Sequence, residues 1–222
     1  AWAALLNTGQ VCTSTERVYV QESIAPRFIE RIVEYARGLR LGSGMNPETD
    51  VGPMIGAQYR AKVEAHVEDA RSRGARVLAG GQRPADQPRG FFYEPTVLTG
   101  VDHSMRIMRE ETFGPTIPIM TYRRFDEAIQ LANDSPFGLG ANLYTYDARK
   151  VKQFYEEVQA GTLWVNDPLT DNDAGPFGGM KMSGNGRELG EEGLDEFRET
   201  KHLHWDFEGS AKPWWYPYGR NE

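Results

Sequence analysis

Asn7-Thr8-Gly9-Gln10-Val11-Cys12-Thr13-Ser14 closes a short helix-like run, Trp2 to Leu6, and holds the one cysteine of the 222-residue sequence. A thiol attacks only as its thiolate, so a reactive cysteine needs a polar, partly open setting with backbone N–H groups or a cation nearby. Gly9 lets the backbone take a positive φ or approach a ligand. Thr13-Ser14-Thr15 supplies small residues whose amides can point at a developing oxyanion. The competing reading of Cys12 is a small buried hydrophobe, the commoner fate of a free cysteine.

Outward from this stretch, Arg17 to Val20 is β-prone, Ser23 is a good N-cap, and a helix is predicted from Ile24. Phe28, Ile29, Ile32, Val33, Tyr35, Ala36 and Leu39 fall on its one apolar face, and Pro26 sits harmlessly in the first turn. A second helix spans about Ala57 to Arg73, with Tyr59, Val63, Val67 and Ala70 inward and Gly74 closing it. Strands are expected at Ala75 to Ala79 and at Phe91 to Leu98, where Pro95 suggests an edge or a bulge. The run Thr116 to Tyr122 carries the same warning in Pro118.

From Phe125 the pattern becomes regular: helix to Ala132, strand Ala141 to Thr145, helix Ala148 to Val158, strand Thr162 to Asn166. Helices alternating with short buried strands predict an α/β domain of three layers, αβα, around a largely parallel sheet. The last third differs, with an acidic turn, a glycine-rich stretch, a helix over Glu188 to Phe197 and a strand over Thr200 to Phe207. Lys212 to Tyr218 is aromatic and proline-rich, and a tail of that kind usually lies against something.

Composition excludes several classes. With 39% hydrophobic and 26% charged residues the chain is expected to fold around a core, and a net charge of −7 argues against nucleic-acid partners and anionic membranes. No run is long enough for a transmembrane helix, and one cysteine forms no internal disulfide, so a cytoplasmic protein is expected. His66, His103, His202 and His204 lack metal-ligand spacing, so no metal is expected. Neither the Walker pattern nor the dinucleotide fingerprint is present: Asn185 stands where the first needs lysine, and Gly138 to Leu143 lacks the third glycine of the second.

Three stretches in order carry a resemblance: the Asn-x-Gly-Gln-x-Cys loop at 7–12, Glu110-Glu111-Thr112-Phe113-Gly114-Pro115, and Pro176-Phe177-Gly178-Gly179-Met180-Lys181-Met182-Ser183-Gly184. Together they resemble the aldehyde dehydrogenase superfamily, over about Ala1 to Trp205. The resemblance implies that Cys12 is the nucleophile and that Glu111 hydrogen-bonds the nicotinamide ribose of NAD or NADP, with Phe113 packed near it. It implies that Phe177 lines the aldehyde pocket and that Asn166 sits near the catalytic centre. Lys62 matches a lysine that touches the adenine ribose in some relatives, although Tyr59 replaces the neighbouring family glutamine.

The family's general-base glutamate, oxyanion-hole asparagine and coenzyme domain precede the nucleophile loop, where this chain has eleven residues. The chain also opens inside a helical pattern without a cap. The resemblance therefore implies a partner segment, N-terminal or on another chain, that binds the coenzyme. It also implies a division into a catalytic domain, residues 1–198, and an oligomerisation strand with an aromatic tail, residues 199–222, which pairs across a homo-oligomer. The rival readings are a catalytically silent scaffold of the same fold and a cysteine hydrolase, for which no histidine is evidently placed beside Cys12.

Overall fold

The computed structural model describes residues 1–216. Helix α1 (Trp2–Leu5) runs into a 3-10 turn (Leu6–Gly9), and β1 (Val18–Gln21) leads to α2 (Ala25–Gly38). Then come α3 (Ala57–Ser72), β2 (Arg76–Ala79), β3 (Thr96–Thr99), the single turn α4 (Arg106–Arg109) and β4 (Thr116–Tyr122). The remainder is α5 (Phe125–Asn133), β5 (Phe137–Gly138), β6 (Gly140–Leu143), α6 (Ala148–Glu157), β7 (Thr162–Val165), β8 (Met180–Lys181) and α7 (Gly190–Asp195).

The main sheet has the order β1-β4-β3-β2, parallel throughout except for the antiparallel β2. Because side chains alternate along a strand, its two faces separate cleanly. Val20, Val97, Ile117 and Ile119 meet Ile32 and Ala36 of α2. Tyr19, Leu98 and Met120 turn the other way, toward Val63, Val67 and Ala70 of α3. Each such side chain, buried fully, contributes roughly 1.5–3 kcal/mol, so the two helical layers hold the sheet between them. This is the expected αβα arrangement.

The parallel strands do not form one continuous sheet. Among the described residues β6 pairs only with β7, in parallel, and β5 pairs with β8 in an antiparallel two-residue ladder. Ile129, Phe154, Val158 and Ala160, with Leu143 and Val165 beside them, give this second unit its own core. Asp147 caps α6 by accepting the Arg149 N–H at 2.9 Å.

Several local expectations are corrected. Ile24, not Ser23, occupies the N-cap of α2, and no side chain caps that end. Tyr35 and Tyr59 are exposed, and His66 takes the inward place on α3 beside Val63 and Val67. β3 begins at Thr96, which leaves Pro95 outside it, and β3 is interior; the bulge lies in β2, between Val77 and Ala79. Pro118 sits in the central strand β4 rather than at an edge. It is tolerated beside the start of β1, whose register with β4 begins only at Ile119.

The helix expected over Glu188 to Phe197 shortens to Gly190–Asp195, because Glu188 pairs with Phe177 instead. Thr200 to Phe207 is not a strand: no strand among the described residues accepts its backbone, and Leu203, Trp205 and Phe207 are exposed. Trp205 and Phe207 stack on each other at 4.9 Å. Of the tail, Trp214, Trp215 and Tyr216 are exposed, and the expectation for 217–218 lies outside the described residues. Among the described residues no helix is long and apolar enough to cross a membrane.

Candidate active site

The nucleophile loop is built from its own polar side chains. Asn7 Nδ2 donates to the Gln10 carbonyl at 3.1 Å, and Gln10 Nε2 returns a bond to the Asn7 carbonyl at 3.0 Å. Gln10 Oε1 also accepts the Ile55 N–H at 2.8 Å, and Thr8 Oγ1 donates to the Gly52 carbonyl at 3.1 Å. These bonds hold Asn7 and Thr8 in left-handed conformations, φ 48° and 63°, that cost of the order of 1–3 kcal/mol each. Gly9 follows at φ 74°, where a Cβ would lie 2.1 Å from the Gly114 carbonyl oxygen, so only glycine fits the contact between the two loops.

The result is an exposed Cys12 thiol on a loop cross-linked at its base. Of the amides expected to face an oxyanion, those of Ser14 and Thr15 are already given to the carbonyls of Val11 and Ala3, at 2.9 and 3.0 Å. The Cys12 and Thr13 amides have no acceptor among the described residues.

Glu110 and Glu111 follow α4. Glu110 accepts two bonds from Arg106, both at 2.9 Å, and one from His66 Nε2 at 3.1 Å. The Arg106 guanidinium, with His66 adding to it, holds the Glu110 carboxyl down at about 2. Since that carboxylate only accepts, His66 carries its proton on Nε2, and Nδ1 is left to accept from Thr112 Oγ1 at 3.1 Å. Burial lowers the His66 pKa, with the Arg106 charge acting in the same sense, so the ring is neutral at pH 7. Glu111, by contrast, is exposed and has no hydrogen bond or ion pair among the described residues.

A third carboxylate completes the region. Glu16, four residues beyond Cys12, accepts the Thr112 N–H at 3.0 Å and the Phe113 N–H at 2.7 Å. Phe113 is itself left-handed at φ 55°. Glu16 is not singled out in the sequence, and His66 is weighed there only as a metal ligand. The place of His66 on the apolar stripe of α3 was a usable signal, whereas nothing in the sequence joins Glu16 to a loop 96 residues away.

Cys12, Glu111, Tyr19, Arg109, Leu143 and Phe154 all line one cleft of about 480 Å³ between the β1 edge of the main sheet and the β6 unit. Lys62, Phe113, Asn166 and Phe177 do not line it. Lys62 lies one turn before His66 on α3, near enough for its charge to act on that ring. Asn166, at φ 60°, gives both ends of its amide to the Thr145 backbone: Oδ1 accepts its N–H at 2.9 Å and Nδ2 donates to its carbonyl at 2.8 Å. Phe177 is tied by its backbone to Glu188 at 2.6 and 2.7 Å. Beside it, a Cβ on Gly161 would fall 1.8 Å from the Gly178 carbonyl, so the glycine-rich loop rests directly on the chain entering β7. Among the described residues no group of three acidic, histidine or cysteine side chains is placed to hold a metal.

Comparison with known proteins bears on the whole of this arrangement. The model of the aldehyde dehydrogenase family matches residues 1–203. A betaine aldehyde dehydrogenase of Bacillus subtilis is 39% identical over 214 residues, which are 96% of this chain and 44% of that protein. A 3-sulfolactaldehyde dehydrogenase of Pseudomonas putida is 43% identical over 197 residues, 89% of this chain and 40% of its own length. Among solved structures, a betaine aldehyde dehydrogenase variant from Staphylococcus aureus, in complex with NAD+ and with a BME-modified cysteine, superposes with a TM-score of 0.91 at 38% identity. The match covers 96% of this chain and 44% of that one. The chain thus spans less than half the length of these relatives, while nearly all of it lies within the match. An αβα sheet, a cysteine presented on a strained loop and a family match over 203 of 222 residues converge on one assignment: this chain belongs to the aldehyde dehydrogenase family.

Proposed function

We propose that this chain is the thiol-bearing part of an NAD(P)-dependent aldehyde dehydrogenase, oxidising an aldehyde to a carboxylic acid together with a coenzyme-binding segment outside residues 1–222. One observation carries the reading: the single, exposed cysteine shares a cleft with a carboxylate, Glu111, that has no protein partner among the described residues.

Cys12 adds as thiolate to the carbonyl carbon, forming a C–S bond and a tetrahedral thiohemiacetal oxyanion. The amides of Cys12 and Thr13, which have no acceptor among the described residues, are the donors this chain can offer that oxygen. Collapse of the oxyanion expels hydride, for which a bound nicotinamide would supply the acceptor, and leaves a thioester on Cys12. Water then cleaves the C–S bond, releasing the acid and regenerating the thiol. The base for that step comes, in this reading, from the partner segment, as does the coenzyme domain.

The residues present fit the coenzyme. An exposed carboxylate without a protein partner among the described residues, Glu111, suits acceptance from a ribose diol, and Phe113 and Lys62 are assigned to the coenzyme on the resemblance alone. The NAD+ complexes of the Staphylococcus aureus and Bacillus cereus relatives support NAD as that coenzyme, with NADP the alternative. The resemblance assigns Phe177 and Asn166 to the aldehyde pocket, although neither lines the Cys12 cleft in this chain and both ends of the Asn166 amide bond the Thr145 backbone. A reduced thiol is required, which favours the cytoplasm. Cys12→Ala in the assembled enzyme is expected to lower turnover at least a hundredfold, about 2.7 kcal/mol of barrier, with coenzyme binding nearly intact. Turnover above a hundredth of wild type in steady-state assays rejects the nucleophile.

A further inference from the structure

We propose that Glu16 is a positioning residue that locks the nucleophile segment to the Glu111 loop and so fixes the distance between the thiol and the coenzyme ribose. This rests on the function proposed above.

The geometry is specific. Glu16 belongs to the five residues between Cys12 and β1 (Val18–Gln21), and both of its carboxylate oxygens are used on one target. Oε2 takes the amide of Thr112 and Oε1 that of Phe113, so the two-point contact sets orientation as well as distance. Phe113 is left-handed at φ 55°, a conformation an unsupported phenylalanine rarely keeps, and its amide has the shorter of the two bonds, 2.7 Å. The same loop is gripped from its other side, where His66 holds the Thr112 hydroxyl and Glu110. Glu111 stands between these anchors with its own side chain free of them.

Glu16 is also costly to keep. Burial raises its pKa above the ordinary value, the bonds to the Phe113 and Thr112 amides pull it back, and the Glu111 charge pushes it up again. A carboxylate near a second carboxylate and partly withdrawn from water is an unfavourable choice for packing alone, where a neutral side chain would serve. Its bidentate grip on a strained turn supplies the reason for its presence.

The test is a double-mutant cycle in the assembled enzyme, read as single-turnover hydride transfer. Glu16→Gln keeps the shape but turns one acceptor into a donor, so one of the two amides loses its partner. In an otherwise unchanged enzyme we expect about a tenfold loss of rate. With Glu111→Gln already in place, Glu16→Gln is expected to cost less than about twofold, because its effect runs through Glu111. Equal losses in both backgrounds, or no loss in either, overturn the proposal. If Glu16→Gln does not fold, Glu16→Asp, which keeps the charge and shortens the reach, is read in the same way. A wild-type enzyme without Cys12-dependent NAD+ reduction defeats the dehydrogenase reading instead. The Glu16 contact is then judged by hydrogen exchange: faster exchange at the Thr112 and Phe113 amides of Glu16→Gln by about tenfold sustains it, and unchanged exchange overturns it.

Discussion

At Glu110 the carboxylate is consumed by Arg106 and His66, whereas one residue on, at Glu111, it stands without a protein partner among the described residues. The two letters are identical in the sequence, and only the resemblance separated them there; their surroundings now give a physical reason. The same network makes a pH prediction. His66 has a folded pKa below its ordinary 6.5, so the unfolded chain takes up that proton first. Its contribution to stability is complete above pH 6.5 and is lost as pH falls from there toward the folded value. Glu110 acts with the same sign in a lower window, from 4.5 down to about 2, and Glu16, whose pKa is raised, acts with the opposite sign in a window opening upward from 4.5. The urea midpoint of wild type should therefore fall further between pH 7 and pH 5 than that of His66→Gln. Parallel shifts in the two proteins contradict this account. Residues that speak through the backbone, Glu16 above all, were illegible because a charged letter before a strand looks the same whether it meets water or two distant amides.

Among the elements, the ones legible in sequence are those whose apolar periodicity is enforced by a core. The strand Thr116 to Tyr122 and the inward Val63, Val67 and Ala70 of α3 were read correctly because they are the surfaces that α2, α3 and the sheet bury against each other. What failed was set by neighbours: Pro118 was acceptable in a central strand only because the register of β1 starts one residue later, a fact of pairing rather than of propensity. Ile117 lies fully buried in that strand, paired with Val97 of β3 and packed against α2. Ile117→Ala should cost about 2–5 kcal/mol, measured by denaturant melts, whereas a loss under about 1 kcal/mol would mean that the sheet's α2 face is looser than described.

For the molecule as a whole, the apolar residues of 200–207 find no sheet here, although their alternation is plain in the sequence. We propose that in the assembled enzyme they pair with another subunit, since a strand needs an edge to bond to and its side chains need cover. Deleting residues 200–222 from the assembled enzyme should shift it toward monomer in sedimentation velocity, and an unaltered oligomer removes the tail from the interface. The division into a catalytic domain and an oligomerisation tail stands or falls with that result.

The placement of the tail's rings also decides how this protein will look to a fluorimeter. Of five tryptophans, Trp2, Trp205, Trp214 and Trp215 are exposed and Trp164 alone is buried, its Nε1–H donating to the Thr170 carbonyl at 2.7 Å. Emission from the isolated chain will thus be red-shifted and readily quenched by iodide while the fold is intact. A melt followed by intrinsic fluorescence will report on the β7 strand through one indole against a bright, unchanging background. The main αβα core contains no tryptophan among its buried residues and will unfold almost unseen by that method, so circular dichroism is the signal to follow.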